Sequence, residues 1–540
     1  MDTDYVVIGS GINALVAAVE LARSGASVTL LEEREKLGGF IGSAELTVPG
    51  FIHDTFSSWH PLFVAGAAYA ELGAELHARG LQYLNTEDTD TPWVCASVGT
   101  DSRGNTSVVL AQRDPQATAA AFGQQEDGAA YARMLDDLGA QAPVVFGTLG
   151  GEMDVPTLSR LGLKTLRMGL VRAQELARQA LMSGRNLTRS RFRGTEVDQL
   201  WAPWLLHAGI GPEQASGGVM LPVMAATMHQ FGLPVVKGGA AGFVTAFESL
   251  LRDHGVVIRT GTRAESIEVR EGRAVAVNTP EGSIRARKGI LASVSVPELY
   301  GELLKAPDLA PGVAEQAATY RPGRAAMQIH VALAGPVPWT DQRLAHTPLI
   351  HVSSGSDSTA IACAQAEAGL LPGNPTIVVG QQCVLDPSRA PAGQATLWLQ
   401  LQELPYEPSG DAAGFLDTSK GWDEQLVSDY TDRVLDKIEV YAPGLRALVR
   451  GIRAISPWEL SKLNRNAVGG DPYGGAVELY QNLLWRPLPR MGRGRSPVKD
   501  LWHIGAATHP GPGLGGGSGH LVAQRLIRRA KRPGLRKSTT

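Results

Sequence analysis

The first forty residues constrain the fold most. Tyr5-Val6-Val7-Ile8 is a short apolar run of strand character, broken by Gly9-Ser10-Gly11. From Ile12 the period changes, and Leu15, Val16, Val19 and Ala22 recur at helical spacing until Gly25. Residues 27–31 form a second apolar run, and Glu32 follows it. The unit therefore carries Gly9-x-Gly11-x-x-Ala14, with an acid 23 residues after the first glycine. Gly9 suits a tight turn, and Gly11 leaves the backbone open to a pyrophosphate. Ala14 lets the helix approach its strand, while the first amides of the helix, at Ile12 and Asn13, face the anion. Glu32 can accept hydrogen bonds from ribose hydroxyls. Together these features predict dinucleotide binding.

The remaining global properties mostly exclude. At 540 residues the chain exceeds one ordinary core, so two domains or three are expected. With 44% hydrophobic residues it cannot be a disordered, collagenous or coiled-coil chain. Its 63 glycines lie well above the average usage of about 7%, so they must serve particular places. A net charge of −3 argues against nucleic acid. Cys95, Cys363 and Cys383 show neither a disulfide framework nor a metal-ligand spacing, and reduced thiols are expected. There is no HExxH, and His503, His509 and His520 lack convergent partners, so no metal is predicted. No G-x-S-x-G elbow supports hydrolase chemistry.

The acidic start, Met1-Asp2-Thr3-Asp4, predicts no secretory leader. The longest apolar run, near 219–228, contains Pro222 and is too short to span a bilayer. A cytoplasmic location is expected. From Arg525 onward, Arg528, Arg529, Lys531, Arg532, Arg536 and Lys537 occur without an acid. A solvated tail is one reading, and contact with an anionic membrane surface is the other.

Three separated fragments share one resemblance. Glu32-Glu33-Arg34-Glu35-Lys36-Leu37-Gly38-Gly39 resembles the opening of the FAD-dependent amine oxidase and phytoene desaturase superfamily. A second fragment begins at 234–239 with Gly238-Gly239 and continues as helix, strand, hairpin around Glu271-Gly272, and strand. It is similar to that superfamily's second FAD segment, which implies that the backbone of Ala264 meets the adenine. The third fragment runs Gly505-Ala506-Ala507-Thr508-His509-Pro510-Gly511-Pro512-Gly513-Leu514-Gly515, then Gly516-Gly517-Ser518-Gly519-His520. It resembles the flavin loop of phytoene desaturases and carotenoid ketolases nearly residue for residue through Gly513. The loop's small side chains let backbone amides reach a ring. A helix starting near His520 would turn its positive end toward the edge where reduced flavin gathers charge.

The resemblance implies FAD as cofactor. It also implies an α/β fold: a Rossmann-like FAD-binding domain of the glutathione reductase/amine oxidase type, interrupted by a mixed α+β substrate domain with a helical part. The FAD domain is expected over 1–92, 235–305 and 490–530, the substrate domain over 93–234 and 306–489, and a basic tail over 531–540. Within 93–234 the spacing predicts helices at 129–139, 155–182 and 196–207, with Trp201 and Trp204 in core or in a substrate tunnel. Strands are expected at 326–333, 376–379 and 396–402, and a helix at 423–442. The Gly469-Gly470-Asp471 segment before Arg486-Pro487-Leu488-Pro489 resembles the carotenoid-ketolase-like branch, including its pyridine nucleotide-disulphide oxidoreductase domain-containing type.

By that resemblance the flavin carries the chemistry, taking hydride from carbon. Few protein groups are needed. His60 and Asp54, in a stretch that returns to the flavin face in the superfamily, are candidate general bases, with a structural hydrogen bond the other role for each. Tyr473 and Trp59 are candidates for lining the ring, and His509 for holding the loop. The expected reaction is dehydrogenation or another oxidation of a bulky apolar, isoprenoid- or lipid-like substrate. Oxygen, a quinone or another carrier is expected as electron acceptor. The alternatives are oxidation of a C–N bond in an amine or imine, and a non-catalytic lipid escort on the same fold. Peripheral membrane contact and homo-oligomerisation stay open.

Overall fold

The computed structural model describes residues 2–101 and 103–531. Its first sheet grows from the N-terminal unit. Strands Asp2–Ile8, Val28–Leu31 and Val257–Arg259 lie parallel in that order, and Gly282–Ala292 flanks Asp2–Ile8 on the other side. The short strand Leu501–His503 adds parallel to the end of Gly282–Ala292, so the last fragment of the chain joins the first. Ser266–Arg270 and Arg273–Thr279 complete an antiparallel meander whose turn places Glu271 and Gly272 at positive φ, as the expected hairpin requires.

Helix Ile12–Arg23 buries Leu15, Val16 and Val19 against this sheet, beside helices Ala241–Asp253 and Gly517–Ala530. Burial of each such side chain favours the fold by roughly 1.5–3 kcal/mol. The C-terminal helix begins at Gly517, three residues before the expected start, because Gly516 at φ 69° can serve as its N-cap.

A second, mostly antiparallel sheet is ordered Val449–Ile455, Ala325–Leu333, Ala395–Leu404, Ile377–Gly380, Leu349–Val352, Trp93–Thr100, Thr106–Gln112. The two inserts thus share one sheet, and region 93–234 contributes two strands that the helical reading did not foresee. Helix Glu424–Glu439, capped by Asp423, covers one face. A helical layer around Gly217–Phe231 covers much of the other.

The expected helix at 155–182 is two helices, Val155–Met168 and Leu170–Leu181, because Gly169 takes φ 92° between them. The helix at 129–139 is longer, Gln125–Gly150. The one at 196–207 ends at Trp201 and continues as a 3-10 turn from Pro203, whose missing N–H cannot carry a helix on. Arg525, the first residue of the basic run, is not solvated but buried in the last helix, and it pairs with Glu152 at 2.9 Å. Arg532, Arg536 and Lys537 lie outside the described residues.

Burial pushes several histidines down, among them His53, His207 and His503 to about 4, and His60 and His330 to about 3. In the unfolded chain they titrate near pH 6.5. Between those values the unfolded state binds more protons, so stability falls as pH drops below about 6.5, by up to about 1.4 kcal/mol per histidine per unit. Denaturant midpoints measured from about pH 7 to about pH 5 should fall steeply; a flat profile would contradict these neutral histidines.

Candidate active site

A cavity of about 320 Å³ lies between the two sheets, and residues from all three expected FAD fragments form its wall. Gly9, Gly11, Ile12, Asn13, Glu32, Arg34, Gly38 and Gly39 come from the first. Ala264 comes from the second, and Gly505, Ala506, Gly513 and Leu514 from the third. A second hollow, of about 440 Å³, lies near Val108 and Thr340 and includes none of these residues.

At the nucleotide end, Glu32 is held ready. Its Oε2 accepts the Ser10 hydroxyl at 2.6 Å and its Oε1 the Arg34 amide at 2.9 Å. The Ser10 hydroxyl also accepts the Gly38 amide at 3.1 Å, and Arg34 donates to the Gly39 carbonyl at 3.3 Å. One network therefore joins the turn, the acid and the Gly-Gly loop. Glu33 and Glu298 stand here too, raised by burial, with Arg465 opposing the shift in each.

FAD fits this wall on three observations. A Cβ on Gly11 would meet no protein atom within 4 Å, whereas one on Gly9 would meet the Ser293 carbonyl at 2.9 Å. The open side of Gly11 is space for a ligand. The Ile12 and Asn13 amides have no partner among the described residues, at an uncapped helix N-terminus suited to a diphosphate. The Ala264 amide and carbonyl likewise have no partner among the described residues, so both remain free for a ring edge.

Ala14, Thr508, His509 and Gly515 are not in the wall but stand behind it. Ala14 is buried at the helix–strand contact. Thr508 holds the loop shut through the Gly505 carbonyl at 3.0 Å and the Ser518 hydroxyl at 2.6 Å. His509 bonds the Gly151 carbonyl at 2.8 Å, and burial lowers its pKa. Gly515 lies against the Leu62 carbonyl. The last helix sits so near the first that a Cβ on Gly519 would lie 1.9 Å from the Asn13 carbonyl oxygen, and the Asn13 side chain accepts the Gly519 amide at 3.2 Å.

The catalytic candidates fare differently. Ser57, Ser58, Trp59, Pro61 and Leu62 reach the wall, but His60 does not. Its Nδ1 meets the Tyr83 hydroxyl at 2.9 Å and its ring packs on Phe243, so it is a buried neutral histidine rather than a base for the cavity. Asp54 is also behind the wall. It pairs with fully buried Arg389 at 2.6 Å and accepts from Ser58 at 2.5 Å and from the Ala240 amide at 2.7 Å. Arg389 also holds Asp386 at 3.1 Å and the Val236 carbonyl at 2.7 Å. Tyr473 does line the cavity. Its hydroxyl donates to the Leu206 carbonyl at 2.7 Å and accepts from Gln402 at 2.8 Å, and burial raises its pKa, so it stays a protonated wall group.

Sequence reasoning missed the ceiling of the substrate end. Along Ala395–Leu404, Leu397, Leu399 and Leu401 face the helix-covered core, while Trp398, Gln400 and Gln402 face the cavity. Gln328 stands in register opposite Gln400 and lines the same wall. The alternation Leu-Trp-Leu-Gln-Leu-Gln was the available signal. Trp204, Met224, Thr227, Met228, Leu233 and Leu349 make most of the rest of this end. His207 joins them with its Nε2 3.0 Å from that of buried His351; burial pushes both down, so both rings stay neutral, the Nε2–H of one donating to the bare Nε2 of the other. Buried Arg486 was also missed in this role. It donates to the Ala506 carbonyl at 2.9 Å and the Tyr473 carbonyl at 2.7 Å, clamping the substrate wall to the flavin loop.

Two glycines separate ligand space from packing space. Gly11→Val should leave the thermal midpoint of the apoprotein near wild type but weaken FAD at least tenfold in a flavin-release titration. Gly519→Ala should instead lower the apoprotein's midpoint by several degrees, because backbone must move. Equal behaviour of the two variants would contradict the geometry.

The comparisons agree with this architecture. The chain is 29% identical over 562 residues to pyridine nucleotide-disulfide oxidoreductase domain-containing protein 2 of Rattus norvegicus, covering 98% of this chain and 94% of that one. It is 23% identical to 4,4'-diapolycopene oxygenase of Methylomonas sp over 97% of each chain. The structure of cyclohexylamine oxidase from Brevibacterium oxydans is similar in fold, with a TM-score of 0.58, 16% identity, and coverage of 98% of this chain and 100% of that one. Residues 15–494 match the flavin-containing amine oxidoreductases, so the chain belongs to that family and is an FAD-dependent oxidoreductase.

Proposed function

We propose that the protein dehydrogenates or otherwise oxidises a bulky, largely apolar substrate of isoprenoid or lipid type. The observation that carries this reading is how the wall's charges are distributed. Its carboxylates, Glu32, Glu33 and Glu298, share the nucleotide end with Arg34, Arg263 and Arg465. Among the described residues the other end offers indoles, methionines, leucines and the amides of Gln328, Gln400 and Gln402. A cationic amine would enter that end without a carboxylate to meet it, and an unpaired buried charge is costly. An extended apolar chain gains from the same surface. The relative named as a diapolycopene oxygenase supports the reading, and the cyclohexylamine oxidase fold keeps the C–N alternative in view.

When bound, FAD supplies a two-electron acceptor for hydride from carbon. Glu32, the Ile12 and Asn13 amides and the Ala264 backbone would hold its nucleotide half, and the loop 505–514 its ring. The chain's own work at the reacting end is positioning and exclusion of water. Trp59, Leu62 and Tyr473 form wall there, and Arg486 fixes Tyr473 to the loop. His207 remains neutral above about pH 4, and Tyr473 keeps its proton. The proton that accompanies hydride loss therefore leaves to solvent, and oxygen, a quinone or another carrier removes the electrons.

Anaerobic mixing of oxidised holoprotein with unsaturated isoprenoids and, separately, with primary and cyclic amines tests the substrate class. Bleaching of the visible flavin band by an isoprenoid is expected, at a rate nearly constant between about pH 6 and pH 9 because neither His207 nor Tyr473, the ionisable side chains at the reacting end, changes protonation there. Bleaching by amines alone, rising with deprotonation of the amine, would overturn the proposal.

A further inference from the structure

Most exposed large apolar side chains are scattered, but one stretch gathers them. Helices Val155–Met168 and Leu170–Leu181 meet at Gly169, and around that elbow Leu166, Leu170 and Val171 are 79%, 76% and 79% exposed. Val155 and Leu158 continue the outward face of the first helix, and Leu181 that of the second. The inward side is accounted for. Leu161 packs so near the Gln125–Gly150 helix that a Cβ on Gly147 would lie 2.7 Å from it, and Leu176 packs with Leu138, Val145 and Val223.

The flank of this apolar face is basic. Arg160, Lys164 and Arg167 recur at helical spacing along Val155–Met168, and Arg172 follows the elbow. All four are exposed, and none forms an ion pair among the described residues. Between 155 and 181 there are five Arg or Lys residues and one acid, Glu175, which is paired with Arg178 and Arg191. A helical hairpin with an exposed aliphatic tip and a cationic flank has the chemistry of an element lying in the interface of an anionic bilayer. A second copy of the chain is a poorer occupant, since a two-fold contact would set this cationic surface against itself.

The hairpin also adjoins the cavity. Helix Leu170–Leu181 contacts helix Gly217–Phe231, whose Met224, Thr227 and Met228 line the substrate end. The ion pair of Arg525 with Glu152 ties the C-terminal helix to the start of the hairpin, one turn before exposed Arg528 and Arg529.

We infer that the 155–181 hairpin docks the enzyme on anionic membrane surfaces, its aliphatic tip among acyl chains and Arg160, Lys164, Arg167 and Arg172 among headgroup phosphates. None of these residues lines the cavity, so the inference stands or falls apart from the substrate assignment.

Flotation of full-length holoprotein with phosphatidylcholine vesicles, with and without phosphatidylserine, tests it. Binding is expected only with the anionic lipid, weakening as salt is raised. The triple variant Arg160→Gln, Lys164→Gln, Arg167→Gln should lose on the order of a hundredfold in affinity. The double variant Leu166→Ser, Val171→Ser should lose at least tenfold. Both should keep the wild-type flavin spectrum and thermal midpoint, their side chains being exposed. Wild-type binding by either variant, or equal binding to neutral vesicles, would overturn the inference. So would a dimer dispersed by Leu166→Ser, Val171→Ser in a protein that ignores vesicles.

Discussion

Fully buried Arg389 holds three parts of the molecule at once. Asp54 belongs to the first FAD fragment, the Val236 carbonyl to the second, and Asp386 to the substrate domain. The two carboxylates exceed the one guanidinium, and backbone amides absorb the difference: Ala240 donates to Asp54 and Gly238 to Asp386. Ala240 caps the Ala241–Asp253 helix, so Asp54 also meets the positive end of that helix. Removing one member of such a cluster leaves an uncompensated buried charge, which costs about 3–5 kcal/mol. Because Ser57, Ser58, Trp59, Pro61 and Leu62 follow Asp54 into the wall, this cluster sets where the flavin-facing side chains stand.

The cavity follows from that anchoring. One end is built by a strand–turn–helix whose acid, glycines and free amides match a dinucleotide. The other is built by the second sheet, where period-two alternation sends leucines to one core and Trp398, Gln400 and Gln402 to the cavity. Histidines that could have acted as bases are neutralised by burial, as at His60 and His207, and Tyr473 is pinned by two hydrogen bonds. What remains for the protein is shape, dryness and the position of a bound flavin.

The N-terminal unit, the 505–519 loop and the meander were legible in the sequence because each is local: turn glycines, helical spacing and strand runs sit within a few dozen residues. That Trp93–Thr100 joins the second sheet was not, since it pairs there with Leu349–Val352 some 250 residues on. Which of their two candidate roles His60 and Asp54 take, base or structural hydrogen bond, was not legible for a related reason. The group that claims Asp54, Arg389, lies 335 residues away, and a lone acid near a flavin motif looks the same whether paired or free. Gly169 was visible in the sequence, but its left-handed φ, which splits the expected helix at 155–182, depends on how the two halves pack.

Arg389→Met in the full-length protein tests most directly whether this buried cluster supports the flavin site. The measurement is the FAD dissociation constant, read beside the thermal midpoint and compared with Arg389→Lys, which keeps the charge but not the planar fork. A lower midpoint and at least tenfold weaker FAD for Arg389→Met, with Arg389→Lys intermediate, is the predicted result. Wild-type FAD affinity and midpoint in Arg389→Met would contradict the dependence of the site on Arg389.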